Sequence, residues 1–149
     1  MIGNEFPSEG FPLEIKRVFD ASCAEVFRAW LDRDEWQAWI GPEGVHCDLT
    51  EFDPRVDGRY RLVMHLPTGE TMVVAGAFRS IEQDKRFSFT WGSADDAAKT
   101  SLVSVALRDL GGRTELTLRQ EGLPTAALRD GHLSGWQSAL NKLAAHVAA

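Results

Sequence analysis

Positive charge is scarce in this chain. Sixteen lysines and arginines stand against 22 aspartates and glutamates, for a net charge of -6. That balance leaves no electrostatic footprint for nucleic acid or for an anionic membrane surface. Cysteine is scarcer still. Cys23 and Cys47 are the only two, and their separation fits neither a metal-binding nor a redox spacing. No apolar run reaches the roughly 18 residues of a membrane span, and the N-terminus lacks the charged-then-apolar order of a signal peptide. A cytoplasmic protein with two reduced thiols is therefore expected, a Cys23–Cys47 disulfide being the less favoured reading.

Motifs of the common chemistries are missing as well. There is no Gly-rich phosphate loop, no His-Glu-x-x-His and no Gly-x-Ser-x-Gly elbow. The histidines are four, His46, His65, His132 and His146, and they are scattered along the chain. A metal centre would need several of them to converge with carboxylates, which nothing in their spacing suggests. No metal, cofactor or catalytic residue is assigned. His146, near the end of the last helix, reads as a surface residue suited to the helix dipole.

What is present points to one domain. A length of 149 residues, 44% apolar and 26% charged, is ordinary for a soluble chain with a single core. The most organised stretch runs from Thr125 to Val147. Leu128, His132, Leu133, Trp136, Ala139, Leu140, Leu143 and Val147 recur at three-and-four spacing, the mark of an amphipathic helix. Ser134, Ser138, Asn141, Lys142 and Ala145 fall on the other side. Such a helix would span on the order of 30 Å and cannot bury its stripe alone.

Before it, most of the chain reads as strand. Met1 to Gly10 is a loose leader without periodicity, and residues 11–149 form the single domain. A first strand covers Leu13, Ile15 and Val18-Phe19. Ser22 and Glu25 form a capping-box pair ahead of Val26, Phe27, Trp30 and Leu31, predicting a short helix. Asp32 and Asp34 cap a second helical piece carrying Trp36 and Trp39, which Gly41-Pro42 ends. From Val45 to Glu121 the period changes to two. Tyr60, Leu62, Met64 and Leu66 share one face; His65 points to the other. Met72, Val74, Gly76 and Phe78 alternate on the next strand, then Phe87, Phe89 and Trp91 form an aromatic row. Gly92 to Lys99 reads as a polar loop, followed by strands through Val103 to Leu107 and through Leu116 to Leu118. Consecutive hairpins of this kind build an antiparallel meander with one buried face. The class is α+β: a curved antiparallel sheet of about seven strands over one long C-terminal helix, with two short helices after the first strand.

Particular residues narrow this further. Phe19-Asp20-Ala21 through Val26-Phe27-Arg28-Ala29-Trp30, then Trp36, Trp39 and Gly41-Pro42, resembles the opening of the activator-of-Hsp90-ATPase homologue (AHSA1-like) family of START-like, helix-grip domains. Asp53, Arg55, Val56 and Gly58 resemble its Asp-x-Arg-x-Gly-Gly turn, with Asp57 in place of the first Gly. Phe87-Ser88-Phe89-Thr90-Trp91 is similar to its aromatic strand, and Gly135-Trp136 with Leu140 and Leu143 to its terminal helix. The resemblance covers roughly Phe11 to Val147 and implies a helix-grip fold, which hosts many activities. There are two departures. About ten residues precede the fold where the name-giving activators carry a further domain that engages the chaperone, so Hsp90 stimulation is not carried over. Gln120 stands where the family often has His.

Helix-grip relatives leave space at one end of the helix, and the methionines suit adaptable walls. Trp39, Met64, Met72, Phe78, Phe89, Trp91, Gln120, Arg129, His132 and Trp136 are the candidate ligand-binding residues. His132 is a polar group within an apolar stripe, Arg129 sits at a rim, and Gln120 is an amide on the inner face. The first functional reading is a binding module for a small apolar or aromatic molecule, monomeric or homodimeric. The second is a cyclase- or dehydratase-like cavity enzyme, with His132 as acid or base and Gln120 or Arg129 as oxyanion partner. A third is an interaction or co-chaperone module that would expose an apolar patch around Trp36 or Trp39. Gly131 and Gly135, one turn apart, lie off the core stripe; either a close approach by the Trp39–Pro42 loop or a helix that starts late or kinks at Gly135 would explain them.

Overall fold

The structure is a computed structural model describing residues 10–93 and 96–148. Its order is β1 (Leu13–Phe19), α1 (Cys23–Leu31), α2 (Arg33–Trp39), β2 (His46–Phe52), β3 (Arg59–His65), β4 (Thr71–Glu82), β5 (Arg86–Ser93), β6 (Asp96–Asp109), β7 (Thr114–Glu121) and α3 (Ala126–Ala148). The seven strands form one sheet in the order β1-β7-β6-β5-β4-β3-β2, every pairing antiparallel. Strands β2 to β7 form the expected meander, and β1 closes its far edge against β7. This is the helix-grip α+β architecture. The expected leader lies almost wholly outside the described residues. The polar loop expected from Gly92 to Lys99 is shorter than its composition suggests. Strand β6 already begins at Asp96, which pairs with Ser93.

The local signals act as their chemistry requires. Ser22 accepts from the Glu25 amide while the Glu25 carboxylate accepts from the Ser22 amide, a complete capping box for α1. The two hydrogen bonds from Ser22 hold the Glu25 carboxyl below its usual range. Asp32 ends α1 and starts α2, its carboxylate accepting from the Glu35 amide at 3.1 Å. The Asp53–Gly58 turn depends on two special positions. Asp57 stands at φ +68°, tolerable for an aspartate and ordinary for the glycine it replaces. A Cβ on Gly58 would lie 2.0 Å from the Asp53 carbonyl oxygen, so no other residue fits.

Register shifts occur between Leu49 and Glu51, between Phe78 and Ser80, and between Trp91 and Ser93. Bulges of this kind bend and twist a sheet, letting its inner face wrap the helices. The core lies on that face. Trp30 is at its centre, its ring 4.7 Å from Trp39, 5.3 Å from Phe87 and 5.9 Å from Trp136 by centroid. Thr125 accepts from the Leu128 amide to begin α3. Trp136, Ala139, Leu140 and Leu143 of α3 are buried. The partners of Trp136 are Trp91, at 5.1 Å, and Trp30. Phe89, on the same strand as Trp91, instead lies beneath α1 and α2 against Trp30 and Trp36.

Candidate functional site

Between the first half of α3 and the sheet lies a cavity of about 290 Å³. The sheet supplies Met64, Leu66, Met72, Val74 and Trp91; the loop after α2 supplies Ile40, Gly41 and Pro42. From α3 come Leu128, His132 and Trp136, with Ala127, Gly131, Gly135 and Ala139 beside them. These last four recur every fourth residue, which places them in one row along the helix. They leave the wall almost bare of side chains. A Cβ on Gly131 would meet nothing within 4 Å, and one on Gly135 would come within 3.8 Å of Pro42. The two glycines therefore border the cavity, and only Gly135 nears the Pro42 loop, at ordinary van der Waals distance, so a tight approach by that loop does not account for them.

The loop wall is tied down from α3. The Glu43 amide donates to Ser138 Oγ at 2.7 Å, and Lys142 Nζ donates to the carbonyls of Gly41 at 3.2 Å and Pro42 at 3.5 Å. Gly41 is at φ +90°, and a Cβ there would sit 2.7 Å from Cys47 Sγ, so only glycine carries the loop over that thiol. Burial pushes the Cys47 thiol up to about 11, so it stays protonated and unreactive at neutral pH. Both cysteines are free.

On the rim, Met72 is 51% and Leu128 43% exposed. Each had a place on an inward-facing stripe; both stand instead where the cavity opens. Beyond them is a second cavity of about 440 Å³, lined in part by Thr71, Ser93 and Ser101. It shares Met72, Val74, Trp91, Leu128 and His132 with the first. Trp91, Leu128 and His132 thus stand between an apolar chamber and a more polar one.

Of the ten candidate residues, Met64, Met72, Trp91, His132 and Trp136 line the first cavity. The other five do not reach it. Trp39 is 1% exposed and its indole donates to the Ala29 carbonyl at 2.9 Å. Phe78 packs against Phe52 and Tyr60, and Phe89 against Trp36, deep under α2. Arg129 turns onto Asp130 at 2.9 Å and over the Phe11 ring. Gln120 is fully buried, and both ends of its amide are used. Its Nε2 donates to Ser101 Oγ and its Oε1 accepts from Trp136 Nε1, each at 2.8 Å. Ser101 Oγ in turn donates to the Trp91 carbonyl. This chain of bonds fixes Trp91 and Trp136, the cavity's two aromatic walls, relative to one another. Gln120 is therefore a positioning residue behind the wall.

His132 Nδ1 lies 2.8 Å from the Leu128 carbonyl. The acid–base constellation of His132 with Gln120 or Arg129 is not assembled, because those two groups are committed elsewhere. Trp36 is also 1% exposed, like Trp39, so neither contributes to a surface patch. The histidines are less scattered than their spacing suggests. His46 and His65 face each other across β2 and β3, stack at 5.7 Å and both meet the Asp48 carboxylate, at 3.2 and 2.8 Å. The His65 hydrogen bond, first among several causes, holds the Asp48 carboxyl below its usual range. His146 pairs with Glu35 of α2 at 3.1 Å, tying the end of α3 to that helix. Among the described residues no group of three or more potential ligands is arranged to hold a metal ion.

Comparison with known proteins decides the family. The profile described as Activator of Hsp90 ATPase homolog 1-like protein matches residues 20–148. The chain belongs to this AHSA1 family. A crystal structure of a protein from Chromobacterium violaceum is similar at 30% identity and a TM-score of 0.85, covering 91% of this chain and 96% of that one. The AHSA1 protein from Silicibacter pomeroyi is similar at 27% identity and a TM-score of 0.78, covering 93% and 98%. A protein from Arthrobacter aurescens, at 20% identity, shares the fold with a TM-score of 0.84 over 97% of this chain and 90% of that one. No curated protein matches the sequence. Among the described residues no helix of this AHSA1 chain is long and apolar enough to cross a membrane.

Proposed function

We propose that this AHSA1-family chain is a cytoplasmic binding protein for a small apolar or aromatic molecule and carries no catalysis of its own. The observation behind this reading is the cavity of about 290 Å³ under the first half of α3. Its walls are Met, Leu, Val, Ile and Trp side chains together with bare helix backbone. Ligand sites are typically concave and apolar, with a few placed polar groups. The volume lies just under the usual range of roughly 300–1,000 Å³, which favours ligands of one or two rings. Met64 and Met72, unbranched and soft, suit a wall that adapts to its guest. Among the described residues no Lys, Arg, Asp or Glu lines the cavity, so His132 stands there without a second titratable side chain to complete an acid–base pair.

The test is a thermal-shift and ligand-observed NMR screen of monocyclic and bicyclic aromatic and terpenoid compounds. A ligand at a hundred times its Kd stabilises a folded protein by about 2.7 kcal/mol. For a chain of this size that raises Tm by about 5–10 °C. Binders should also broaden or shift the indole N–H resonances of Trp91 and Trp136. A screen in which no compound shifts either the Tm or those resonances overturns the proposal.

A further inference from the structure

The bound state of His132 says more about the guest than the apolar walls do. The Leu128 carbonyl can only accept a hydrogen bond, so the 2.8 Å contact requires that Nδ1 carry the proton. In a neutral imidazole the other ring nitrogen, Nε2, is then a lone-pair acceptor. Among the described residues Nε2 has no hydrogen-bond partner in the protein, and the ring borders both chambers. The Trp91 indole N–H, which borders both chambers, also makes no hydrogen bond among the described residues, whereas most other polar groups nearby are committed. Trp136 Nε1 donates to Gln120, Ser101 Oγ donates to the Trp91 carbonyl, and Arg129 is turned onto Asp130 and Phe11. Lys142 donates to the carbonyls of Gly41 and Pro42 behind the loop.

We infer that the cavity takes an uncharged aromatic or alicyclic molecule bearing a hydroxyl group, and that His132 Nε2 accepts the hydrogen bond from that hydroxyl. The inference rests on the binding-protein reading and names the ligand class for the same site. A carboxylate or phosphate guest would lose its hydration and, among the described residues, meet no Lys or Arg along the cavity wall, which is unfavourable. A guest with only acceptors, such as a ketone or an ether, could meet the Trp91 indole N–H alone and would leave the lone pair of Nε2 unpaired, whereas a hydroxyl can donate to Nε2. A hydroxyl satisfies the acceptor while the ring system fills the corner made by Trp91 and Trp136, whose centroids are 5.1 Å apart at 52°.

The experiment compares four probes of one shape, naphthalene, 2-naphthol, 2-methoxynaphthalene and 2-naphthoate, by calorimetry and NMR titration. Expected is an order with 2-naphthol tightest, by about 3–10-fold over the methyl ether, the worth of one neutral hydrogen bond. 2-Naphthoate should be weakest. In His132→Phe, with native NMR dispersion retained, the advantage of naphthol over its ether should vanish while naphthalene still binds. If all three uncharged probes bind equally, or if naphthol keeps its advantage in His132→Phe, the hydroxyl assignment fails and the cavity reading stands. Tighter binding of 2-naphthoate than of 2-naphthol also overturns the assignment. Absence of binding by all four removes both.

Discussion

Along α3 the hydrogen bonds made by side chains change character at Trp136. Before it, the groups of Thr125, Arg129 and His132 bond to residues no more than four positions away. After it, Ser138 meets Glu43, Asn141 meets Arg17 of β1, Lys142 meets Gly41 and Pro42, and His146 meets Glu35 of α2. Packing divides at the same place. Leu140 and Leu143 are fully buried, whereas Leu128 is 43% exposed and Gly131 has nothing near it. One continuous helix thus serves two ends. Its second half anchors the domain, and its first half, relieved of that task, stands off the sheet as the roof of a cavity. A protein that must fold and also keep an empty apolar space can separate the two duties along a single element.

The contrast predicts very unequal costs for the same change. Leu140→Ala removes a fully buried side chain from a rigid surrounding and should destabilise the protein by about 2–5 kcal/mol in urea denaturation. Leu128→Ala, on the rim, should stay within about 0.5 kcal/mol. Equal costs at the two positions would show that α3 is packed uniformly and would remove the basis for a site under its first half.

How much of this could be read from residues alone follows from what a one-dimensional pattern contains. Alternation, capping boxes and turn dipeptides are local, and they yield the element order, the meander and the long helix. Strand parity also turns Met64, Phe78, Phe89 and Trp91 inward. Parity carries no information on depth, however. Phe89 and Trp91 are two residues apart on one face of β5, yet one lies under α1 and α2 and the other under α3. The bonds of Gln120 join three elements distant in sequence, so its role as a positioning residue needs the fold. The pairing of His46 with His65 depends on the β2–β3 register, set by a turn in which Asp57 adopts a positive φ and by the shift between Leu49 and Glu51. A further legible clue lies on α3 itself. Ala127, Gly131, Gly135 and Ala139 form one row of minimal side chains beside the core stripe, and a wheel that sorts residues by polarity alone gives such a row no meaning of its own.

That row supplies a sharper test, because stability and binding should move in opposite directions. Gly131→Leu replaces a poor helix former by a good one, worth about 1 kcal/mol of added stability. Its side chain would project into the open space of the cavity and meet any guest there. Overpacking of about 1–3 kcal/mol against a bound ligand corresponds to affinity weakened by about 5–150-fold. A raised Tm with lost binding locates the ligand under the first half of α3. A raised Tm with unchanged binding places it elsewhere.

The smallest effect concerns the seam between the two halves. Ser138 stands just past Trp136 and accepts from the Glu43 amide at 2.7 Å, holding the loop that walls the cavity. In Ser138→Ala the loss of that bond, about 0.5–1.5 kcal/mol, is partly offset by the better helix propensity of alanine. Global stability should therefore change by about 1 kcal/mol or less. Local protection should not be spared in the same way. Hydrogen exchange at the Glu43 amide should become markedly faster while the Leu140 amide, inside the anchored half, keeps its rate. Lys142 still holds the carbonyls of Gly41 and Pro42 in this variant, so the loosening should stop at Glu43. If exchange accelerates along the whole of α3 instead, the loop and the helix open as one unit, and the division at Trp136 is not a mechanical one.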